Sequence, residues 1–406
     1  MQRKAIEDYR EIVGDEYIAS IFKKARKLYG KHILHVNSTY QGGGVAEILV
    51  SLVPLLNNIG ISTGWRILHG TPDFFTITKK IHNALQGEKI NLSKIKKILY
   101  RETVKDFSIY THIHHDCVII HDNQPLPLIE FYNKRQPWIW RCHVDLSAPQ
   151  KELWDFLLPF ILRYDKVIVS NKNCKRKGLP VEQKIIHPAI DPLSPKNKEL
   201  SNNDIKKYLK KNNIPTDKPL ITQISRFDKW KDPLGVVDIF KLVRKKVDCR
   251  LVLCGGMATD DPEGIKICEQ VRCKTDKMVK NGDVIIITTE NNILVNILQR
   301  VSSVIIQKSL REGFGLTVAE ALWKERPVVA SKIGGIPLQI KDGESGFLLD
   351  PKDKQGFADR IVQILRDPKL AKKLGKNGKK NIKENFLITR LISDHLDCLD
   401  ELITCK

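Results

Sequence analysis

Apolar residues along this chain gather into short runs, and each run is followed by a longer amphipathic stretch. Ile33 to Val36 is such a run, and Val45, Ile48, Leu49, Leu52, Val53, Leu56 and Ile59 follow it at helical spacing. A strand, a turn containing QGGG and a helix are predicted there. Val118 to Ile120 and Val167 to Val169 read as further buried strands, and QKIIHPAID as a shorter one. From about Lys196 to Lys218 the chain turns polar and rich in lysine and asparagine, the composition of a domain boundary. Beyond it the alternation restarts: LITQIS, helix PLGVVDIFKLVRKK, RLVLCGG, DVIIITT, SSVIIQ, helix TVAEALWKE, PVVAS.

Strands alternating with helices predict parallel sheets covered on both faces. The expected class is therefore α/β, with two doubly wound Rossmann-like domains in series facing a central cleft. Ligands of such sheets sit at the carboxyl ends of strands, so the loops after HVN, LITQIS and SSVIIQ are where chemistry is expected. At 406 residues the chain exceeds one ordinary core, and two domains of about 200 residues fit it. No internal repeat or low-complexity tract competes with this reading.

Composition excludes some classes. No stretch of about 20 uninterrupted apolar residues exists, so no membrane span is expected, and the opening MQRKAIEDYREIVGDEY is too charged for a signal peptide. A cytoplasmic protein is expected. The nine cysteines lack paired C-x-x-C spacing and read as reduced structural thiols. A formal charge of +21 raises polyanion binding as an alternative. The lysines, however, lie in stretches such as NNDIKKYLKKNN and KLAKKLGKNGKKNIKENF without interleaved aromatics, which reads as solvated helix faces and no specific nucleic acid.

Three motifs carry candidate chemistry. The turn Gly42, Gly43, Gly44 starts like a dinucleotide fingerprint, but the third glycine position holds Glu47, and ISTGWRILHG ends without the acid that would bind a ribose. NAD is disfavoured, and close packing explains the glycines as well as a ligand does. In SLREGFGLTVAEALWKE, Gly313 and Gly315 break the chain after a strand, and Thr317 is expected to cap the next helix, whose first amides could meet an anion. Glu312 and Glu320 flank this turn eight positions apart, suited to vicinal sugar hydroxyls or to ordinary salt bridges. In SRFDKWKDP, Arg226 and Lys231 leave a strand end five residues apart, as a pair that could grip a diphosphate.

Taken together, SRFDKWK, the E-x7-E spacing and the GGG turn resemble the retaining glycosyltransferases of family 4, which have the GT-B fold. HVNSTYQGGGVAEIL, HNALQG, LIEFY, PWIWRCHVDLSAP, DPLSPKN, ITQISRFDKWKDP and REGFGLTVAEALWK resemble, in order, segments of the trehalose synthase family within that group. The resemblance runs from about residue 5 to the last helix. It implies an acceptor domain over 1–205, completed by a carboxyl-terminal helix over 388–406, and a donor domain over 216–387.

The resemblance also implies roles. Arg226 and Lys231 hold the donor diphosphate, Glu312 the hydroxyls of the transferred glucose, and Glu320 the ribose. Gly313, Phe314, Gly315, Leu316 and Thr317 belong to the phosphate site, and Gly42, Gly43 and Gly44 let the first domain close over donor and acceptor. His143 contacts the donor sugar; Asp122, Gln124 and Asp145 are the weaker candidates for the acceptor. Asp232 departs from the family, which often has glycine after the lysine, and this puts the local backbone in question. THIHHD (His112, His114, His115, Asp116) reads as a surface loop and not a metal site, and no D-x-D motif occurs, so neither a metal nor a cofactor is expected.

The expected reaction is transfer of an α-glucosyl group from ADP-, UDP- or GDP-glucose to free glucose, giving trehalose with retention. A family-4 enzyme using another acceptor, such as a sugar phosphate, is the alternative, and a nucleotide-sugar epimerase is a third. The nucleobase is not legible, and a homodimer is entertained with the oligomeric state left open.

Overall fold

The strands form two six-stranded sheets, each wholly parallel. A computed structural model describes residues 4–256 and 264–404, and it divides into two compact units: Met1–Ala189 with Ile388–Lys406, and Ile190–Leu387. In unit 1 the strands are β1 (His32–Asn37), β2 (Ser62–Ile67), β3 (Cys117–His121), β4 (Trp138–Arg141), β5 (Lys166–Val169) and β6 (Glu182–Ile185), in spatial order β2-β1-β3-β4-β5-β6. Unit 2 contains β7 (Leu220–Ile224), β8 (Arg250–Cys254), β9 (Val284–Ile287), β10 (Val304–Gln307), β11 (Val328–Ser331) and β12 (Phe347–Leu349), in order β12-β11-β10-β7-β8-β9.

The strands β3, β4, β5, β7, β8, β10 and β11 are buried along their whole length. Helices cover both faces of such sheets, and strands that never meet water read as unbroken apolar runs. That is why most of them are visible in the sequence. Those that are not, β2 (STGWRI), β4 (WIWR) and β12, mix polar with aromatic residues or are only a few residues long.

The division between units falls at Ala189/Ile190, earlier than the expected boundary at 205–216. The polar stretch is not a linker but contains the helix Asn202–Lys211, which caps on Ser201 and buries only Leu209. Leu209 and Ile214 join Leu220 and Ile224 of β7 in one apolar cluster. Seven exposed side chains around one buried leucine mimic a linker in composition. The chain enters and leaves unit 2 side by side, since Ile190 bridges Leu387 and its amide donates to the Phe386 carbonyl at 2.9 Å.

From Ile388 the last helix, Ile388–Ile403, returns to unit 1 and packs on the helices Asp15–Arg26 and Gly44–Asn58. Its apolar stripe, Leu391, Ile392, Leu396 and Leu399, is buried, and Lys24 pairs with Asp397 at 2.6 Å. The lysine-rich helix Pro368–Asn385 buries Leu374, Gly375, Gly378 and Ile382 and leaves most of its lysines in water. Among the described residues no helix is long and apolar enough to cross a membrane.

If the last helix completes the core of unit 1, Leu396→Ala should lower the unfolding free energy by about 2–5 kcal/mol, the cost of emptying a leucine site. Urea denaturation measures this, and an unchanged midpoint would contradict it.

Candidate active site

The strand order reverses once in each sheet, between β7 and β10 in unit 2 and between β1 and β3 in unit 1. At such a reversal the two following loops diverge, leaving an opening at the carboxyl ends of the strands. SRFDKWK follows β7 and REGFG follows β10; QGGG follows β1 and HDNQ follows β3. The topology therefore gathers the motifs into two strand-end clusters.

In unit 2 the loops after β7 and β10 are tied together. The Leu310 amide donates to the Trp230 carbonyl at 2.7 Å, and Gln223 Nε2 donates to the Lys231 carbonyl at 2.8 Å. Lys231 is thereby aimed at Glu312, and its Nζ lies 2.6 Å from Glu312 Oε2. Gln307 Nε2 and Ser309 Oγ reach the same oxygen at 3.3 and 3.2 Å. All these donors engage Oε2, so among the described residues Glu312 Oε1 has no partner. A buried carboxylate clamped on one side and open on the other is positioned to accept a ligand hydroxyl. Arg226, two residues past β7, is half-buried beside this loop.

Asp232 answers the question its departure from glycine raised. Its φ is +44°, a left-handed conformation that glycine adopts freely and other residues rarely do. The carboxylate offsets the strain by capping the next helix, accepting from the Gly235 amide at 2.9 Å, and by pairing with the buried Lys308 ammonium.

The turn after β10 is fixed from behind. Gly334 has φ +53°, and a Cβ there would lie 1.7 Å from the Glu312 carbonyl oxygen; a Cβ on Gly335 would lie 2.8 Å from Phe314 Cα. The helix Leu316–Trp323 is capped by Gly315 in a left-handed conformation, φ +87°. Thr317 is not the cap, contrary to the sequence reading; it is the second helical residue, and its hydroxyl donates to Gln307 Oε1 at 3.2 Å. The amides of Leu316 and Thr317 still open the helix with no carbonyl behind them. Phe314 is buried and lies 5.3 Å from Phe386 ring to ring, and Gln339 Nε2 donates to its carbonyl.

Glu320 lies within the helix Leu316–Trp323. It is fully buried, with Oε2 accepting from Gln299 Nε2 at 2.9 Å and Oε1 3.6 Å from Lys196 Nζ. Lys324 Nζ, one turn later, binds Gln299 Oε1 and Asn197 Oδ1, both at 2.7 Å. The structure thus brings Glu312 and Lys231 together and gives Glu320 its own interior network. Gln307, Ser309, Lys308 and Gly334 were missed. Of these only the glycine pair in SKIGGIP, directly after an apolar strand, leaves a signal in the sequence.

In unit 1, Gly42 has φ +82° and Gly43 caps the helix Gly44–Asn58 in extended backbone. A Cβ on Gly43 would meet nothing within 4 Å, so packing does not explain that glycine. After β3, Asp122 adopts φ +59° and its Oδ1 accepts the His143 amide at 2.6 Å. Burial pushes the Asp122 carboxyl up to about 6, against hydrogen bonds that lower it. Gln124, two residues on, is partly exposed.

Asp145 is buried, and its Oδ1 accepts the Ser147 amide at 2.9 Å, closing a local turn. His143 is half-buried, and its Nε2 lies 3.0 Å from Nδ1 of His121. Burial, with Arg141 and His395 nearby, holds the His143 imidazole well below its ordinary pKa, and therefore neutral. In the THIHHD loop, Asp116 pairs with Lys31 and accepts the His32 amide, and among the described residues no cluster could hold a metal ion.

Residues 35–176 match the family model for the amino-terminal domain of trehalose synthase, and residues 204–381 that for glycosyl transferases group 1. The chain is 46% identical over 404 residues to the trehalose synthase of Thermococcus litoralis, covering 98% of this chain and 97% of that protein. It is also 28% identical over 422 residues to a trehalose phosphorylase of Pleurotus pulmonarius, covering 91% of this chain and 57% of the phosphorylase. The solved structure of Anabaena Alr3699/HepE in complex with UDP-glucose shares the fold, with a TM-score of 0.69 at 18% identity, covering 92% of this chain and 100% of that one.

Asp122 binds its proton more tightly folded than unfolded, so it makes the protein lose stability as pH rises from 3.8 to about 6. In Asp122→Asn this contribution should vanish while the amide oxygen still accepts from His143. Chemical denaturation of both proteins across that range checks it: the wild-type minus variant difference should slope downward with pH, and a flat or rising difference contradicts the raised carboxyl.

Proposed function

Since the chain belongs to the trehalose synthase family of GT-B glycosyltransferases, we propose that it transfers an α-glucosyl group from a nucleoside-diphosphate glucose to free glucose, with retention, releasing trehalose. The observation that carries this reading is the half-clamped Glu312: one carboxylate oxygen held by Lys231, Gln307 and Ser309, the other open.

In the reaction the bond between the anomeric carbon and the diphosphate oxygen breaks, and a bond to the acceptor hydroxyl forms on the same face of the ring. The acceptor proton leaves with the departing phosphate, so no protein base is required. Glu312 Oε1 takes hydroxyls of the transferred glucose. Lys231, Arg226 and the amides of Gly315, Leu316 and Thr317 receive the charge that builds on the leaving diphosphate, which preorganised cations and amide dipoles stabilise without reorganising. These groups supply the counter-charge themselves, and we assign the reaction no metal or other cofactor. His143 is assigned to the transferred sugar, Gln124 to the acceptor, and Gly42 to Gly44 to backbone that approaches the ligand closely. Glu320 anchors the donor side through its network with Gln299 and Lys196.

The phosphorylase relatives favour a second reading, in which phosphate takes the part of the nucleotide. Incubating the protein with each nucleoside-diphosphate glucose plus glucose, and separately with trehalose plus phosphate, distinguishes the two by chromatography. Trehalose and free nucleotide are expected in the first mixture. Glucose 1-phosphate in the second mixture alone would replace this reading, and product formed only when a sugar phosphate substitutes for glucose would shift the acceptor.

Glu312→Gln and Lys231→Ala should each lower the transfer rate by about a hundredfold to a thousandfold, as for loss of one preorganised transition-state contact. Wild-type kcat in either variant, measured as nucleotide release, would remove the site from unit 2.

A further inference from the structure

Four histidines of unit 1 come from separate places in the sequence and end side by side. His35 lies on β1, His121 ends β3, His143 follows β4, and His395 lies on the last helix. His35 Nδ1 is 2.9 Å from His121 Nε2, and His121 Nδ1 is 3.0 Å from His143 Nε2. The first pair of rings stacks with centroids 5.2 Å apart and the second with centroids 5.3 Å apart. His35 and His121 are buried, and His143 at the outer end is half-buried.

All three rings are neutral. Burial is the largest cause, and it is reinforced by the neighbouring imidazoles and, for His121 and His143, by the buried Arg141 guanidinium. The pKa of His35 falls to about 3, and those of His121 and His143 go well below the ordinary value. Also facing the row are Asp122, whose carboxylate holds the His143 amide, and His395, whose pKa burial lowers to about 4.

A neutral imidazole carries one N–H and one bare nitrogen. Each N···N contact needs one proton, so the proton positions in the row are coupled. Two arrangements satisfy both bonds. Either every ring is protonated on Nδ1 and the row donates outward, from His35 through His121 to His143, or every ring is protonated on Nε2 and the row donates inward. The inner end decides between them. His35 Nε2 is buried and meets no hydrogen-bond partner. A proton there would be an orphaned buried N–H, which folded proteins scarcely tolerate, whereas an unfilled acceptor is tolerated more often. His395 does not relieve it: its ring centroid is 6.5 Å from that of His35, and no hydrogen bond joins the two rings.

We infer that His35 and His121 are positioning residues that lock His143 as the Nδ1–H tautomer, so that His143 offers a bound sugar a hydrogen-bond donor and never a base. The part played toward the sugar rests on the glucosyl-transfer reading; the tautomer does not. A histidine whose Nε2 is occupied from behind cannot take the acceptor proton, which leaves that proton to the departing phosphate.

The test uses full-length protein labelled with ¹⁵N-histidine, with the His143 signals assigned by their loss in His143→Gln. Between pH 6 and 8 the nitrogen shifts should show His143, His121 and His35 protonated at Nδ1 and bare at Nε2. His121→Leu removes the donor behind His143, and His121→Asn puts an amide N–H near the place of Nδ1. In His121→Leu the two His143 shifts should move toward each other as the tautomers mix, with kcat lowered about tenfold to a hundredfold, as when a partner that fixes a histidine tautomer is removed.

The KM for glucose should change little, and His121→Asn should restore most of both properties. Protonation of His143 at Nε2 in the wild type overturns the inference even if no variant folds, and so does a His121→Leu protein with wild-type shifts and kcat. If the wild type shows the Nδ1–H pattern but makes no trehalose, the transfer reading fails and the tautomer assignment stands.

Discussion

A parallel sheet can open for a ligand only where its strand order reverses, because elsewhere successive crossover helices pack side by side over the strand ends. Both sheets of this protein reverse once. The pairing of β7 with β10 in unit 2 brings the loop bearing Lys231 beside the loop bearing Glu312, although 81 residues separate them in the chain. The pairing of β1 with β3 does the same for His35 and His121. The residues of the Glu312 clamp and of the histidine row lie on these segments or are bonded to them.

Within unit 2, charge is handled by division of a single carboxylate. Three donors converge on one oxygen of Glu312, which satisfies the desolvated ammonium of Lys231 and holds the acid in one orientation. A second ion pair, Asp232 with Lys308, lies directly behind it and stabilises a backbone conformation that a glycine would have reached without help. This strained but capped aspartate stiffens the turn that aims Lys231, since its side chain contributes hydrogen bonds that a glycine could not make.

In unit 1 the histidine row itself is neutral, although the buried Arg141 guanidinium lies beside it. Its histidines are buried deeply enough to stay neutral, so they can be stacked in a row inside a core where cations would repel one another and lose their hydration. This contrast fits the proposed substrates. A diphosphate calls for cations, which unit 2 places at a strand end; the transferred sugar calls for hydroxyl partners of fixed direction, the part proposed for His143 at the end of the coupled row.

The amino-acid pattern by itself determined the class of fold and most strands, because strands buried on both faces must be continuously apolar and the alternation with helices admits few other sheets. It also marked Arg226, Lys231, Glu312 and the glycine turns, since each lies just past an apolar run. What it could not determine was anything that depends on which strands are neighbours. The capping by Gly315 instead of Thr317 and the Asp145 turn are local backbone geometry, whereas the one-sided clamp on Glu312 and the interior network of Glu320 come from contacts between distant segments. The same holds for the polar stretch before β7, whose single buried leucine makes it part of unit 2, and for the four histidines. They are ordinary isolated residues in the sequence and become a coupled row only because β1, β3, the turn after β4 and the last helix converge.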